Sequence, residues 1–258
     1  MSNLFSVLCD LDGVLHRESK PIPGAARFVK ELQASGRQYL FLTNSPDQSP
    51  QQLEQTLKKF GMHISAEHFY TAARAVAEFL ACHAYRPRVF VIGSEALRTE
   101  LKRQKAVLTD HTPDFVVFGS GGEYRLSILD KAVKFVRAGA KLIAVNAEQK
   151  ALTETGFRAG CGALLAPIEI ATGTNAYIVG KPNHFMIRAA ERCLNLKPSE
   201  TLMIGDSLDT DIDVGMQAQM KTILVLTGIT SRKDVEQSSY RPDYIFESVG
   251  RIKLNKLP

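Results

Sequence analysis

Val7-Leu8-Cys9-Asp10-Leu11-Asp12-Gly13-Val14-Leu15, VLCDLDGVL, sets two carboxylates two residues apart where an apolar run breaks. The run from Phe5 to Asp10 reads as a strand, and side chains two apart on an extended segment point to the same side, so both carboxylates face one cavity. Two neighbouring anions resist joint ionisation unless a cation or a proton intervenes. A divalent metal would resolve the conflict, and oxygen ligands select hard Mg²⁺. An EF-hand calcium loop is excluded because Gly13 follows Asp12 directly, with no third ligand before the glycine. Taken alone, DLDG is also compatible with a simple turn after a strand.

Outward from this stretch, short apolar runs alternate with segments of helical period, the pattern of a parallel sheet covered by helices. Pro21, Pro23 and Gly24 open a helix with apolar positions Ala25, Phe28, Val29 and Leu32, and Gly36 stops it. The next strand, YLFLT, ends at Thr43. Ser49 and Gln52 form a capping box, with Pro50 at the first position of a helix that Gly61 ends. The strand HFYT leads into a helix over Ala72 to Cys82. After Arg86-Pro87 the rhythm restarts: VFVIG, a helix from Glu95 to Gln104, FVVFG, a helix from Leu126 to Val136, and KLIAVN. Near Tyr177 a strand opens a third section, with GKPN, a helix, TLMIGD, a helix, TILVLTG and DYIFES. This section reads like more of the first. The chain is therefore expected to form a discontinuous core, residues 1–85 and 178–258, with a compact α/β unit, residues 86–177, inserted between. No internal repeat is apparent.

The bulk composition agrees with a globular protein: 258 residues, 45% hydrophobic and 23% charged. No apolar run approaches the roughly 20 residues of a membrane span, and the start, MSNLFSVLCD, lacks the basic flank and cleavage site of a signal peptide. A cytoplasmic protein is expected. Cys9, Cys82, Cys161 and Cys193 include no CxxC pair, so they read as buried free thiols rather than a disulfide framework or zinc site. The net charge of +5 mildly favours anionic ligands. No Lys/Arg block with interleaved aromatics argues for a nucleic-acid groove.

In open α/β sheets, ligands bind at the carboxyl ends of the strands, and four unusual sites fall there. Beyond Asp10 and Asp12, Thr43 and Asn44, followed by Ser45, offer a hydroxyl and an amide for phosphate oxygens; a turn before the capped helix is the alternative. Lys181 precedes Pro182, a residue suited to start a helix, which would place the ammonium near an anion-binding helix N-terminus. Gly205 to Asp211 presents three acids, of which Asp209 is a candidate N-cap. Three are more than capping requires.

Together these residues resemble the haloacid dehalogenase superfamily, in its NagD-like branch of phosphatases. DLDGVL is similar to the family's first motif DxDG[TV]L, LFLTNS to the second, VGKPN to the third and IGDSLDTDI to the fourth, in order and over nearly the whole chain. The resemblance implies a Rossmann-like, doubly wound parallel sheet with the insert as a cap. It implies that Asp10 is the nucleophile that forms an aspartyl-phosphate. Asp12 would be the general acid and base, a role that requires partial protonation near working pH. Mg²⁺ would be held by the Asp10 carboxylate, the Asp12 backbone carbonyl and Asp206, with Asp211 in support. Thr43, the Asn44 backbone and Lys181 would hold the phosphoryl oxygens. The second acid argues for phosphoryl transfer to water, since the dehalogenases lack it and the cation-pumping ATPases carry Thr there.

The cap loops GSGGEY (Gly119 to Tyr124) and NAEQK (Asn146 to Lys150) are candidates for substrate contact. The family's Asn-Pro-Asp reads Asn146-Ala147-Glu148 here, a departure that bears on the leaving group rather than on the chemistry. Gly160-Cys161-Gly162, similar to the family's CGAL, reads as a tight packing turn. The implied activity is hydrolysis of small phosphomonoesters, first nucleoside 5′-monophosphates such as UMP and GMP. Phosphoglycolate, sugar phosphates or pyridoxal phosphate come second. From another class, a phosphometabolite-binding regulator without turnover is disfavoured by the presence of Asp10, Asp12, Thr43, Lys181 and Asp206. The implied partner is a small phosphorylated metabolite, with the chain a monomer or homodimer.

Overall fold

The computed structural model describes residues 5–257. Residues 1–4, on which part of the reading of the chain start falls, and residue 258 lie outside them. The first segment runs β1 (Ser6–Asp10), a small hairpin of β2 (His16–Arg17) and β3 (Lys20–Pro21), α1 (Ala25–Ala34), β4 (Tyr39–Thr43), α2 (Pro50–Lys59), β5 (Phe69–Thr71) and α3 (Ala72–His83). The second runs β6 (Arg88–Ile92), α4 (Glu95–Arg103), β7 (Val107–Leu108), β8 (Phe115–Phe118), α5 (Leu126–Arg137), β9 (Lys141–Ala144), a hairpin of β10 (Lys150–Thr153) and β11 (Gly156–Ala159), α6 (Cys161–Thr172) and β12 (Tyr177–Ile178). The third runs α7 (His184–Leu194), β13 (Thr201–Gly205), α8 (Asp213–Gln217), β14 (Lys221–Val225), α9 (Arg232–Gln237) and β15 (Tyr244–Phe246).

The first and third segments share one parallel sheet, ordered β15-β14-β13-β1-β4-β5. The chain winds outward in both directions from β1, so a crevice opens at the carboxyl ends of β1 and its neighbours. Alternation along each strand supplies both faces. Val7, Cys9, Phe41, Leu202 and Ile204 pack with α1 and α2 on one side, while Leu8, Leu42 and Met203 pack with α3 and α7 on the other. Cys9 stands opposite Ile204, and Asp10 opposite Leu42. Asp10, Thr43 and Asp206 therefore emerge at one edge.

The second segment builds its own parallel sheet, ordered β12-β9-β8-β6-β7. Here the sequence reading needs correcting. The strand at Tyr177 does not return to the first sheet; Tyr177 pairs with Ile143 and Ile178 with Ala144. Ile178, expected in the core, thus belongs to the second sheet. Helix α6 was also not anticipated, because it is apolar nearly all round and carries Pro167, so no helical stripe marks it. The capping box forms as read: Gln52 N–H donates to Ser49 Oγ at 3.3 Å and Ser49 N–H to Gln52 Oε1 at 2.8 Å. Asp209 is not an N-cap. It is exposed within the helical turn Leu208–Ile212, which Ser207 precedes.

The two sheets share an apolar cluster. Leu8, Leu40 and Leu42 of the first and Val89, Val91, Val117 and Ile143 of the second belong to it, and α3 runs through it. Ala72, Ala73, Ala75, Val76, Ala77, Phe79 and Leu80 of α3 are all buried, and the small alanines let neighbours approach closely. All four cysteines are free, but only Cys9 and Cys161 are buried; Cys82 and Cys193 are exposed, against the expectation.

Candidate active site

A cavity of about 430 Å³ opens at the carboxyl edge of the first sheet, and Asp10, Asp12, Thr43, Asn44, Lys181 and Asp206 all line it. Residues up to 196 positions apart in sequence are brought together by strand order alone.

Lys181 lies at the centre, 2% exposed, its Nζ 2.6 Å from Asp10 Oδ1 and 2.7 Å from Asp211 Oδ1. Burial alone would lower the ammonium's pKa; the two carboxylates outweigh it and hold the pKa above its ordinary value. Burial pushes Asp10 well above the usual carboxylate range, with Lys181 opposing and the charges of Asp211, Asp206 and Asp12 adding. Asp206 is pushed up to about 8, first by burial and then by Asp211. Its Oδ2 accepts from Ile229 N–H at 2.7 Å. Two glycines wrap this carboxylate: a Cβ on Gly228 would stand 1.7 Å from Asp206 Oδ2, and one on Gly13, whose φ is +79°, 2.4 Å from it.

Asp10, Asp206 and Asp211 each present a carboxylate oxygen, all within 4.8 Å of one another. Three buried acids with one buried ammonium leave an excess of negative charge, and an all-oxygen donor set suits a hard divalent cation. Asp211 already has both oxygens engaged, Oδ1 by Lys181 and Oδ2 by the N–H groups of Asp206 and Ser207, each at 3.2 Å. Asp10 Oδ2 and Asp206 Oδ1 have no protein hydrogen bond among the described residues. The residues therefore fit a Mg²⁺ ion, with Asp10 and Asp206 better placed to ligate than Asp211.

Asp12 sits in a different environment, its side chain 54% exposed. The Thr43 hydroxyl donates to Asp12 Oδ2 at 3.4 Å and accepts from Ser45 N–H at 3.0 Å. His16, which the sequence did not mark, lies buried with Nε2 3.8 Å from Asp12 Oδ1, while its Nδ1 donates to the Glu18 carbonyl at 3.1 Å.

Two details differ from the sequence reading. The Asn44 side-chain amide is already taken up by protein groups rather than offered to a phosphate. It donates to Lys181 O at 3.1 Å and Glu148 Oε1 at 2.9 Å, and accepts from Lys181 N–H at 2.8 Å. It is a brace between the Lys181 loop and the second unit. Pro182 does not start the following helix either: α7 begins at His184, and Asn183 caps it by accepting from Phe185 N–H at 2.9 Å. A helix N-terminus is thus not what holds the Lys181 ammonium; Asp10 and Asp211 are.

From the second unit, Asn146 Nδ2 donates to Asn44 O at 2.9 Å, and Asn146, Glu148 and Lys150 line the cavity. Burial raises the Glu148 carboxyl, with the Asn44 hydrogen bond opposing. Of GSGGEY only Ser120 lines the cavity, donating to Asp47 Oδ1 at 2.8 Å; Tyr124 turns back to donate to Gly119 O. Gly160-Cys161-Gly162 is the start of α6 rather than a turn, packed so closely that Gly162 N–H donates to Glu148 O at 2.9 Å. Burial pushes the Cys161 thiol up to about 12, so it is no nucleophile. Asp47, Arg158 and a clasp between the β2–β3 and β10–β11 hairpins had no signal in the sequence. In the clasp Glu154 meets Lys20 Nζ at 2.6 Å, pairs with the Ser19 hydroxyl, and donates its N–H to Glu18 Oε2 at 2.8 Å.

Two family models match the chain, one described as haloacid dehalogenase-like hydrolase over residues 7–106 and one as HAD-hydrolase-like over residues 178–252. The chain is 38% identical to the ribonucleotide monophosphatase NagD of Escherichia coli K12, over 96% of this chain and 97% of that protein. It is 34% identical to a dihydroxyacetone phosphatase of Corynebacterium glutamicum, over 96% and 90%. The solved structure of E. coli NagD superposes with a TM-score of 0.88, covering 98% of this chain and 99% of that one. A glycerol phosphate phosphatase of Mycobacterium tuberculosis in complex with magnesium also gives 0.88, at 29% identity over 95% and 75%. With its parallel α/β core and both ends of the chain matched, the protein belongs to the haloacid dehalogenase-like hydrolase family, among the NagD-like phosphatases that act on small phosphoesters.

Proposed function

We propose that the chain hydrolyses nucleoside 5′-monophosphates through an aspartyl-phosphate on Asp10, with sugar phosphates, phosphoglycolate and pyridoxal phosphate as the other substrates to test. The observation that carries the chemistry is Asp10 held by the buried Lys181 at 2.6 Å, beside a solvated Asp12 in the same cavity. An Asp10 oxygen attacks phosphorus while the ester P–O bond breaks. Asp12 passes its proton to the leaving alcohol oxygen. Water then attacks the aspartyl-phosphate as Asp12 takes a proton from it, releasing phosphate and restoring Asp10. Lys181, the Thr43 hydroxyl and the Asn44 backbone N–H hold the phosphoryl oxygens. The Asp10 carboxylate, the Asp12 carbonyl and Asp206, with Asp211 bracing, would hold Mg²⁺, whose positive charge would let an anionic nucleophile approach a phosphate.

In this reading the first sheet is the catalytic core and the second unit the cap, with the boundary moved to include β12, giving residues 1–85 and 179–258 around 86–178. Among the described residues no helix is long and apolar enough to cross a membrane. A cytoplasmic monomer or homodimer acting on a free metabolite, with neither membrane nor nucleic acid as partner, is the remaining part of the proposal. The test is phosphate release from UMP, GMP, ribose 5-phosphate, phosphoglycolate and pyridoxal phosphate, with Mg²⁺ and with EDTA, for the native chain and Asp10→Asn. Release only from the native chain with Mg²⁺ is expected. Undiminished release by Asp10→Asn or in EDTA overturns the mechanism, and release from no compound favours the binding-only reading.

A further inference from the structure

Resting on the phosphatase reading, the geometry points to Glu148 as the residue that selects the leaving group: we propose that its carboxylate reads hydroxyls on the alcohol, while the site makes no use of a nucleobase. Glu148 comes from the second unit, yet its Oε1 accepts from Asn44 Nδ2 at 2.9 Å, directly beside Thr43 and Lys181. Its backbone is fixed from both sides. The Glu148 N–H donates to Asn146 Oδ1 at 3.1 Å, and the Glu148 carbonyl accepts from Gly162 N–H at 2.9 Å. The side chain is half-buried, and its second oxygen has no hydrogen-bond partner among the described residues. A fixed carboxylate with a free oxygen at the mouth of a phosphate cradle accepts hydrogen bonds from a hydroxylated alcohol and repels a carboxylate or a second phosphate.

The rest of the lining sharpens the class. It contains no Phe or Tyr, and the chain has no Trp; its one ring, His16, is buried with Nε2 3.8 Å from Asp12 Oδ1 and offers a base no open face. The cations of the lining that could take over that task or hold a second anion already have partners. Arg158 lies 3.9 Å from Asp47 Oδ2, and the Lys150 ammonium stands over the Phe157 ring. The favoured substrate is therefore a phosphorylated polyol or sugar, including the ribose of a nucleotide.

The test compares kcat/KM for ribose 5-phosphate, UMP, GMP, phosphoglycolate and p-nitrophenyl phosphate in the native enzyme and in Glu148→Gln. The glutamine keeps an oxygen for Asn44 and loses the charge. In the native enzyme the three ribosyl substrates should agree within about threefold, since a stacked base alters binding by about fivefold or more. In Glu148→Gln the ratio of ribose 5-phosphate to p-nitrophenyl phosphate should fall by about fivefold, and the ratio of phosphoglycolate to p-nitrophenyl phosphate should rise by a similar factor. Equal losses on every substrate would make Glu148 a structural clasp and overturn the proposal, as would a preference between UMP and ribose 5-phosphate above about tenfold. Failure of the native enzyme on all five, p-nitrophenyl phosphate included, would instead remove the phosphatase reading, and this proposal with it.

Discussion

Lys181 shows how one side chain can be required twice. Its ammonium separates Asp10 from Asp211, so Lys181→Met leaves two buried carboxylates facing each other. Breaking a buried ion pair from one side costs about 3–5 kcal/mol, and loss of a donor to the transferring group costs about a hundredfold or more in rate. Both are expected, read from denaturant midpoints and from phosphate release. Asp206 carries a pH signature. Its folded pKa, about 8, lies above the ordinary aspartate value of 3.8, so the folded state holds the extra proton in between. Its contribution to stability is full below about pH 4 and is lost as pH rises towards 8. Without a cation the melting temperature should therefore fall over this range. Mg²⁺, which favours the ionised carboxylate, should raise it most at the alkaline end, and Asp206→Asn should flatten both trends. Acids, lysine and threonine at strand ends were legible because their spacing departs from what packing needs. Asp47 and the Asn44 brace were not, because each acquires its role from a partner far away in sequence; His16 was not because a lone histidine carries no spacing signal, although its partners Asp12 and Glu18 are local.

Among the elements, those with a start signal and a single apolar face were legible. Helix α2 has both, and Ser49→Ala should cost about 1 kcal/mol in a denaturant titration by removing its cap. Helix α6 has neither, and β12 is a two-residue strand whose sheet is decided by its neighbour rather than by its own residues. The paired hairpins escaped for a third reason: they meet through exposed polar tips, and no periodicity marks such a contact. The Lys20–Glu154 pair is exposed on the lysine side, so Glu154→Ala should leave the denaturant midpoint essentially unchanged. Its effect belongs to the cavity mouth between the hairpins. Native kcat/KM should depend on ionic strength there, and the variant should lose part of that dependence.

For the whole molecule, the two-sheet layout follows from the pattern of restarts in the sequence, whereas the packing between the sheets does not. Val89, Val91, Leu97, Val117 and Ile143 face the same cluster as Leu8 and Leu42, with α3 between. An interface that is itself core makes the chain unfold as one unit. A single transition is expected when far-UV circular dichroism and a hydrophobic dye are followed together, whereas residues 86–178 expressed alone should bind the dye before any heating. The buried alanines of α3 also set a condition on grafting. A chimera that takes its specificity unit from a relative inherits a surface shaped for that relative's helix. The successful junction would carry α3 along with the donor segment and be cut before Ala72, rather than at Arg86-Pro87 where the sequence invites it.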